Sequence, residues 1–143
     1  MATPAGPAAS RAVKVVAAAL EGERVRGFIF DFSPLKEHCR IFPTERAKAE
    51  EARDIDIRKL KAMFFIKEFT EPGGEKVNPN EFAGVVHGRK IQVTFSDGEL
   101  LLGSTEGYSP NRLGFFLFPA NSNSNILRVF VINTNVKEVK WIK

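Results

Sequence analysis

The sequence predicts an all-β protein built from two tandem copies of a small five-stranded barrel, with a short helix in the first copy. Three observations support this prediction. The chain of 143 residues aligns with itself without a gap when residue 14 is placed over residue 90, a spacing that we call the repeat offset. Each copy reads as short alternating strands separated by turn residues. A copy of about 55 residues can bury the apolar faces of such strands only by curling into a small barrel.

The repeat depends on eleven identical positions between residues 14–67 and their counterparts in residues 90–143. Gly27 matches Gly103, and Lys61 matches Lys137. Self-similarity at a fixed spacing is the sequence signature of a repeated structural unit. We therefore expect a tandem duplication.

The second copy shows the strand pattern most clearly. Ile91, Val93 and Phe95 alternate with polar residues, which is typical of a half-buried strand. Asp97-Gly98 follows and predicts a tight hairpin, because both residues tolerate positive φ. The five predicted strands cover residues 91–95, 99–105, 114–118, 128–132 and 136–142.

The first copy repeats this plan, with predicted strands at residues 13–20, 25–30, 39–42, 55–57 and 63–69. Between its third and fourth strands, segment 44–53 begins with Thr44, an acceptable N-cap, followed by good helix formers. This segment predicts a short helix, whereas residues 120–125 at the same place in the second copy favour a loop. One helical turn is expected at residues 58–62.

The domain organisation follows from these elements. Residues 1–12 form a Pro- and Ala-rich tail, residues 13–69 the first barrel and residues 89–143 the second barrel. Residues 70–88 are rich in Pro, Gly and Asn and read as a linker.

Composition narrows the compartment and the partners. Cys39 is the single cysteine, so an intramolecular disulfide is impossible and a reducing cytoplasm is the simplest location. No apolar run reaches the roughly 20 residues needed to cross a bilayer, so we expect no membrane insertion. The 21 basic residues are interleaved with 17 acidic ones, without the basic run of a nucleic-acid arm.

The order of strands and turns in the second copy, with its Asp97-Gly98 turn and Gly103 in the following strand, resembles that of the small-barrel superfamily that includes Sm-like and SH3-like folds. More closely, both copies resemble an uncharacterised bacterial domain that recurs in proteins carrying cyclic-di-GMP-binding PilZ barrels. The hallmarks are Asp97-Gly98-Glu99, Gly103, Ser109-Pro110, Gly114-Phe115-Phe116 and residues 60–65. The resemblance implies a small-barrel fold and brings no established activity.

PilZ domains bind cyclic-di-GMP through arginines before the barrel and a D-x-S-x-x-G turn. Asp31 and Ser33 match the start of that turn, and Arg11 is the one arginine of the tail. Lys36 stands where the glycine should be, and the second copy lacks the aspartate. These departures argue against cyclic-di-GMP sensing, which is kept as the third functional hypothesis.

Enzymatic activity is not expected, because no nucleophile, base and stabiliser converge in the sequence. His38 and Cys39 are neighbours and point to opposite faces of a strand. Four-ligand zinc spacing and a phosphate-binding glycine loop are both missing, so no metal or cofactor is expected.

The leading hypothesis is therefore a cytoplasmic bacterial adaptor that binds another protein through its paired barrels. The candidate partner-binding residues are Tyr108, Asn111, Arg112, Phe115 and Phe116. The second hypothesis is binding of RNA or single-stranded nucleic acid, as in Sm-like proteins. The sequence favours a buried Trp141 over one available to stack on bases. Oligomeric state stays open.

Overall fold

The computed structural model describes residues 12–70 and 77–143, and ten β-strands lie within these ranges. In chain order they are β1 Val13–Ala19, β2 Arg24–Ile29, β3 His38–Ile41, β4 Arg53–Asp56, β5 Leu60–Ile66, β6 Arg89–Phe95, β7 Leu100–Thr105, β8 Gly114–Pro119, β9 Ile126–Ile132 and β10 Val136–Trp141. The predicted tail, apart from Ala12, and residues 71–76 of the predicted linker lie outside the described ranges.

Alternation of apolar and polar residues produces these strands, as β6 illustrates. Ile91, Val93 and Phe95 are buried, while the residues between them are half-buried or exposed. The turn after β6 places Gly98 at a φ of 92°, a conformation that glycine adopts without steric cost. The Asp97-Gly98 hairpin is therefore confirmed.

Eight strands form one open antiparallel sheet in the order β10-β6-β7-β8-β9-β5-β1-β2. β3 and β4 pair with each other, and an isolated bridge between Phe28 and Phe42 joins this hairpin to the end of β2. The all-β prediction is confirmed. Two separate five-stranded barrels are not shown, because the strands of the two halves share one sheet.

The halves join where β5 pairs with β9. The register runs from Ala62 opposite Val131 to Phe65 opposite Arg128. β5 also pairs with β1 on its other edge, so it lies in the middle of the sheet. Both faces of β5 are covered, and six of its seven residues are buried.

Two hydrophobic clusters occupy the two halves, and each takes residues from the other half. The first is built mainly from residues 15–65 and includes Phe130 and Ile132 of β9. The second is built mainly from residues 91–131 and includes Ala62 of β5. The seam between β5 and β9 is therefore part of both cores.

The strand bounds of the two halves are related by the repeat offset found in the sequence. β6 begins and ends at the positions that the repeat offset assigns to the bounds of β1, and β7 does the same for β2. The 3₁₀ turns Ile57–Lys59 and Asn133–Asn135 also correspond in this way. The sequence predicts a helical turn at residues 58–62; the observed turn covers Ile57–Lys59, and residues 60–62 belong to β5 instead.

The predicted helix over residues 44–53 is wrong. The structure contains there a single 3₁₀ turn, Ala49–Glu51, followed directly by β4. None of the three residues of this turn is buried. Because helix nucleation is costly, a short segment without an apolar face to pack does not form an α-helix.

Residues 77–88 of the predicted linker are hydrogen-bonded to the second half. Asn80 accepts a hydrogen bond from the Leu102 amide at 3.0 Å, and the Val85 amide donates to Ser122 Oγ at 2.8 Å. The side chains of Val85 and Val86 nevertheless lie exposed. This part of the linker is docked through hydrogen bonds of the Asn80 side chain and of the backbone rather than through an apolar core.

A buried lysine of the first half forms ion pairs with the second half. Lys61 of β5 donates to Asp97 at 2.8 Å and also to Glu99, both in the β6–β7 turn. Burial of the Lys61 ammonium acts to lower its pKa, but the bonds to the two carboxylates outweigh this and raise it. The hydrogen bond from Lys61 is the main reason why the pKa of Asp97 is lowered.

Replacing Gly103 with alanine tests the close approach of β7 to β8. A Cβ at this position would overlap the backbone carbonyl oxygen of Phe118, which cannot move without breaking the strand pairing. We expect Gly103→Ala to lower the free energy of unfolding by about 2–3 kcal/mol. Denaturant unfolding measures this change.

Gly107→Ala is the matched control, because a Cβ at Gly107 meets no atom within 4 Å. Its effect should lie between no change and a gain of about 1 kcal/mol. Equal stabilities of the two variants would contradict the close approach at Gly103.

Replacing Lys61 with methionine tests the ion pair across the seam. We expect a loss of about 1–2 kcal/mol at neutral pH, since Asp97 and Glu99 lose their cation but stay partly solvated. The lowered native pKa of Asp97 means that this stability is present above the unfolded pKa, about 3.9, and is lost as pH falls through the native pKa.

The stability difference between wild type and Lys61→Met should therefore shrink below about pH 4, as measured by thermal unfolding at a series of pH values. Lys36→Met, at an exposed loop position, is the control and should stay within about 0.5 kcal/mol of wild type. A pH-independent deficit in Lys61→Met would show that packing, not charge, explains its effect.

Candidate functional site

A cleft of about 420 Å³ opens beside the seam and brings together three of the predicted partner-binding residues. Arg112, Phe115 and Phe116 line it, and Arg128 of β9 lies among the same lining residues. We call this surface the aromatic cleft. Its remaining lining consists of Pro34, Leu35, Glu106, Gly107, Ser109, Gly114, Phe118 and Phe130.

β8 supplies the aromatic lining by alternation. Phe115 is 3% exposed and packs in the core of the second half, whereas Phe116 points to the other face and packs against the core of the first half. Gly114 lets β8 approach β9 closely, because a Cβ there would meet the carbonyl oxygen of Val131 and the ring of Phe130. β8 therefore contributes side chains to both hydrophobic clusters and to the aromatic cleft.

Arg128 stacks on two aromatic rings, one from each half of the chain. Its guanidinium carbon lies 4.3 Å from the ring centroid of Phe116 and 4.7 Å from that of Phe65. Desolvation of the guanidinium lowers the pKa of Arg128. Within residues 12–70 and 77–143, the Arg128 side chain has neither an ion pair nor a hydrogen bond.

Arg112 stands at the mouth of the cleft in the β7–β8 turn. The side-chain amide of Asn133 donates to the carbonyl oxygens of Ser109 at 2.8 Å and Arg112 at 2.9 Å, which fixes this turn. The Arg112 side chain is exposed, and no carboxylate in the described part of the chain pairs with it. Asn111 is exposed in the same turn but does not line the cleft.

Tyr108 lies in a neighbouring hollow that shares Glu106 and Gly107 with the aromatic cleft. There the rings of Tyr108 and Trp141 lie 5.8 Å apart, and the guanidinium of Arg89 covers the Trp141 ring at 4.1 Å. The predicted burial of Trp141 is wrong, since 42% of it is exposed. The reason is that β10, among the strands that the structure describes, pairs with β6 alone and forms the edge of the sheet.

Comparison with known protein families assigns the chain to one family. The model of a family of unknown function, DUF6982, matches residues 11–143. The chain belongs to this family. No curated protein and no solved structure matches it.

In this family member, Asp31 and Ser33, two of the residues proposed for cyclic-di-GMP, do not line the aromatic cleft. Ser33 accepts a hydrogen bond from the Leu35 amide at 3.3 Å and serves its own turn. Asp31 lines a different hollow beside Lys36, His38 and Arg40. Arg11 lies outside the described residues.

The lone cysteine of this family member is buried. Cys39 lies in the core of the first half, while the neighbouring His38 is exposed. Burial and then the nearby charge of Asp54 raise the pKa of the Cys39 thiol to about 11. No cluster of three or more His, Cys, Asp or Glu side chains in residues 12–70 and 77–143 could hold a metal ion.

The described residues also contain no helix with the length and apolarity to pass through a lipid bilayer.

Sequence reasoning missed Arg128 and Leu35, which complete the aromatic cleft. Arg128 is the single charged residue between the apolar Ile126, Leu127 and Val129. A charged residue within an apolar strand is a usable signal for a site, although its stacking partners come from other strands. Leu35, 76% exposed at the cleft rim, gave no sequence signal beyond its place in a turn.

The raised pKa of Cys39 predicts a thiol that is inert in the native protein. At pH 8 its reaction with a disulfide reagent should be at least about 100-fold slower than in the guanidinium-unfolded chain, because the thiolate is the reacting form. Stopped-flow absorbance measures both rates. Comparable native and unfolded rates would contradict the burial of this side chain.

Proposed function

We propose that the chain is a non-enzymatic binding module whose aromatic cleft holds an acidic and apolar segment of a partner protein. The observation that carries this proposal is the pair of guanidinium groups, Arg112 and Arg128, that face an apolar cleft without carboxylate partners in the described part of the chain. The buried Cys39 thiol with its raised pKa and the turn role of Ser33 support a role without catalysis.

The chemistry of the cleft selects both features of the occupant. A carboxylate could accept charge-assisted hydrogen bonds from a guanidinium group, and such bonds are stronger than neutral ones. Arg128 is held by its two phenyl rings, so it loses little side-chain freedom on binding. Leu35 and Phe118 offer exposed or half-buried apolar surface beside the two charges.

A protein segment suits this cleft better than a nucleic-acid strand. Stacking of bases requires accessible ring faces, whereas Phe115 and Phe130 are almost fully buried and Arg128 covers Phe116.

The second candidate function is binding of single-stranded nucleic acid at the neighbouring hollow. The observation that favours it is the half-exposed Trp141 stacked with Arg89 and beside Tyr108, because aromatic and basic side chains together form such sites. In that case the cleft and the hollow would serve different ligands.

We further propose that the halves are tandem copies of an Sm- or SH3-like small barrel, opened where β5 joins β9. The repeat offset, which is shared by the sequence and the strand bounds, supports this. The cytoplasmic location, supported by the lone reduced cysteine, and the association with PilZ-domain proteins belong to the same proposal.

Arg112→Glu tests the aromatic cleft. The full chain would be screened against an array of 15-residue peptides of varied sequence, and hits would be measured by fluorescence anisotropy. We expect the binding peptides to be enriched in Asp or Glu next to Leu or Phe. Arg112→Glu should weaken them at least about 10-fold, the equivalent of one lost charge-assisted bond.

Arg46→Glu is the matched control, because Arg46 is exposed in a loop of the first half and carries the same charge change. It should leave peptide affinity unchanged. Equal weakening by both variants, or an array without acidic enrichment, would refute the cleft proposal. Tight, steeply salt-dependent binding of labelled oligo-dT, lost in Trp141→Ala, would instead support the nucleic-acid function.

A further inference from the structure

The outer edge of β4 leaves a groove in the first half. Among the described residues β4 pairs only with β3, and a hollow of about 230 Å³ lies along its other side. The apolar residues of this hollow include Ala17, Ala19, Val25 and Ile55, and its rim carries Glu23 and Arg53. We call it the β4 groove.

The corresponding place in the second half is filled by a strand. At the repeat offset, Ala17, Val25 and Ile55 correspond to Val93, Leu101 and Val131. These three residues belong to the cluster that contains Ala62 of β5, and Ala62 lies directly opposite Val131. The same site is therefore occupied by β5 in the second half and open in the first.

The hydrogen bonds around β5 show how this site holds a strand. Lys61 bonds to Asp97 and Glu99 at one end of the pairing. The Asn135 side chain donates to the carbonyl oxygen of Leu60 at 2.6 Å. The acceptor site of the second half thus combines strand pairing, a small buried side chain and two carboxylates for one lysine.

We propose that the β4 groove receives β10 of a second copy of this chain, in the way that the second half receives β5. β10 is the counterpart of β5 at the repeat offset, and in the described structure it pairs only with β6. Its Trp141 is 42% exposed, whereas the corresponding Phe65 of β5 is 2% exposed. The strand that would fill the groove is thus an open edge of the same molecule.

The charges of the two partners match. Lys137 of β10 corresponds to Lys61, while Glu21 and Glu23 of the β1–β2 turn correspond to Asp97 and Glu99. Lys137 and Glu21 form no ion pair within the described ranges. Lys137 would thus bridge Glu21 and Glu23 of the neighbouring copy, as Lys61 bridges its two carboxylates within one chain.

The side chains that differ between the two sites change together. Glu138 of β10 corresponds to Ala62 of β5 at the repeat offset. Ala62 shares its cluster with Phe95 and Val129, and the corresponding residues at the β4 groove are Ala19 and Arg53. The smaller Ala19 leaves room for the longer glutamate. Arg53 pairs with Glu23 at 2.7 Å in the single chain, and in the proposed contact Arg53 would turn to Glu138 while Glu23 turns to Lys137. An apolar contact within one chain is thus replaced by an ion pair between chains.

The internal pairing also fixes the expected register. Within one chain, Ala62 lies opposite Val131 and Phe64 lies opposite Val129. By the repeat offset, Glu138 would lie opposite Ile55 of the neighbour, and Lys140 would lie opposite its Arg53. Lys140 and Arg53 carry like charges, which weakens the pairing. We therefore expect association that is moderate in affinity and sensitive to salt.

The contact joins two different surfaces of the chain, so each copy offers one groove and one strand. Such a heterologous contact adds copies head to tail and gives a ring if the rotation closes, or an open chain if it does not.

Sedimentation velocity of the full chain tests the proposal. At low ionic strength the mass should rise above 15.9 kDa with increasing concentration and should fall again in high salt. Lys137→Glu should lower self-association at least about 10-fold. Lys36→Glu, with the same charge change on an exposed loop, should leave it unchanged.

A charge exchange keeps the test specific. Lys137→Glu and the double variant Glu21→Lys with Glu23→Lys should each associate poorly, and a mixture of the two should associate like wild type. Circular dichroism of each variant would show that its fold is retained. Failure of the mixture to associate would overturn the proposed ion pairs.

Disulfide trapping tests the register independently of charge. Asp54 and Val139 lie opposite each other in the proposed pairing, within the Cα separation that a disulfide spans. Oxidation of Asp54→Cys/Val139→Cys, in a Cys39→Ser background, should give covalent dimers and longer species. A chain that stays at 15.9 kDa at every concentration, or that yields no covalent dimer, would overturn the proposal.

Discussion

The pairing of β5 with β9 is the interaction on which the rest of the structure depends. It joins strands of the two halves into one eight-stranded sheet and places β5 between two hydrophobic clusters. A strand in this position cannot carry an alternating polar face, and accordingly six residues of β5 are buried. Lys61 is the one charged residue among them, and its two carboxylate partners explain why a charge is tolerated there.

The aromatic cleft is a consequence of the same seam. Phe65 comes from the first half, while Phe116 and Arg128 come from the second, and they stack only because β5 and β9 are neighbours. Residues on one half alone would leave Arg128 without one of its two rings. The aromatic cleft and the fold therefore both depend on the pairing of β5 with β9.

Sequence reasoning found the local features of this fold and missed its long-range one. Alternation located β6, the Asp97-Gly98 pair located its hairpin, and the repeat offset matched Gly27 to Gly103, which the structure places at equivalent close approaches in both halves. These signals depend on neighbours in the chain or on a fixed offset. The β5–β9 pairing joins strands from opposite halves of the chain, and either strand pattern would equally suit a barrel closed on itself. For the same reason the sequence indicated Arg112, Phe115 and Phe116 as candidates, which line the cleft, but it did not indicate Arg128, whose stacking partners depend on the seam.

The burial of both faces of β5 has a consequence for how the protein folds. Removing the second half would expose Ala62 and Phe64 together with the unpaired backbone of a long apolar strand, which is an aggregation hazard. The second half, in turn, would lose the side chain that closes its own core. The two halves are thus obliged to unfold in a single cooperative transition, and a chain emerging from the ribosome cannot complete its N-terminal half until β9 has been synthesised.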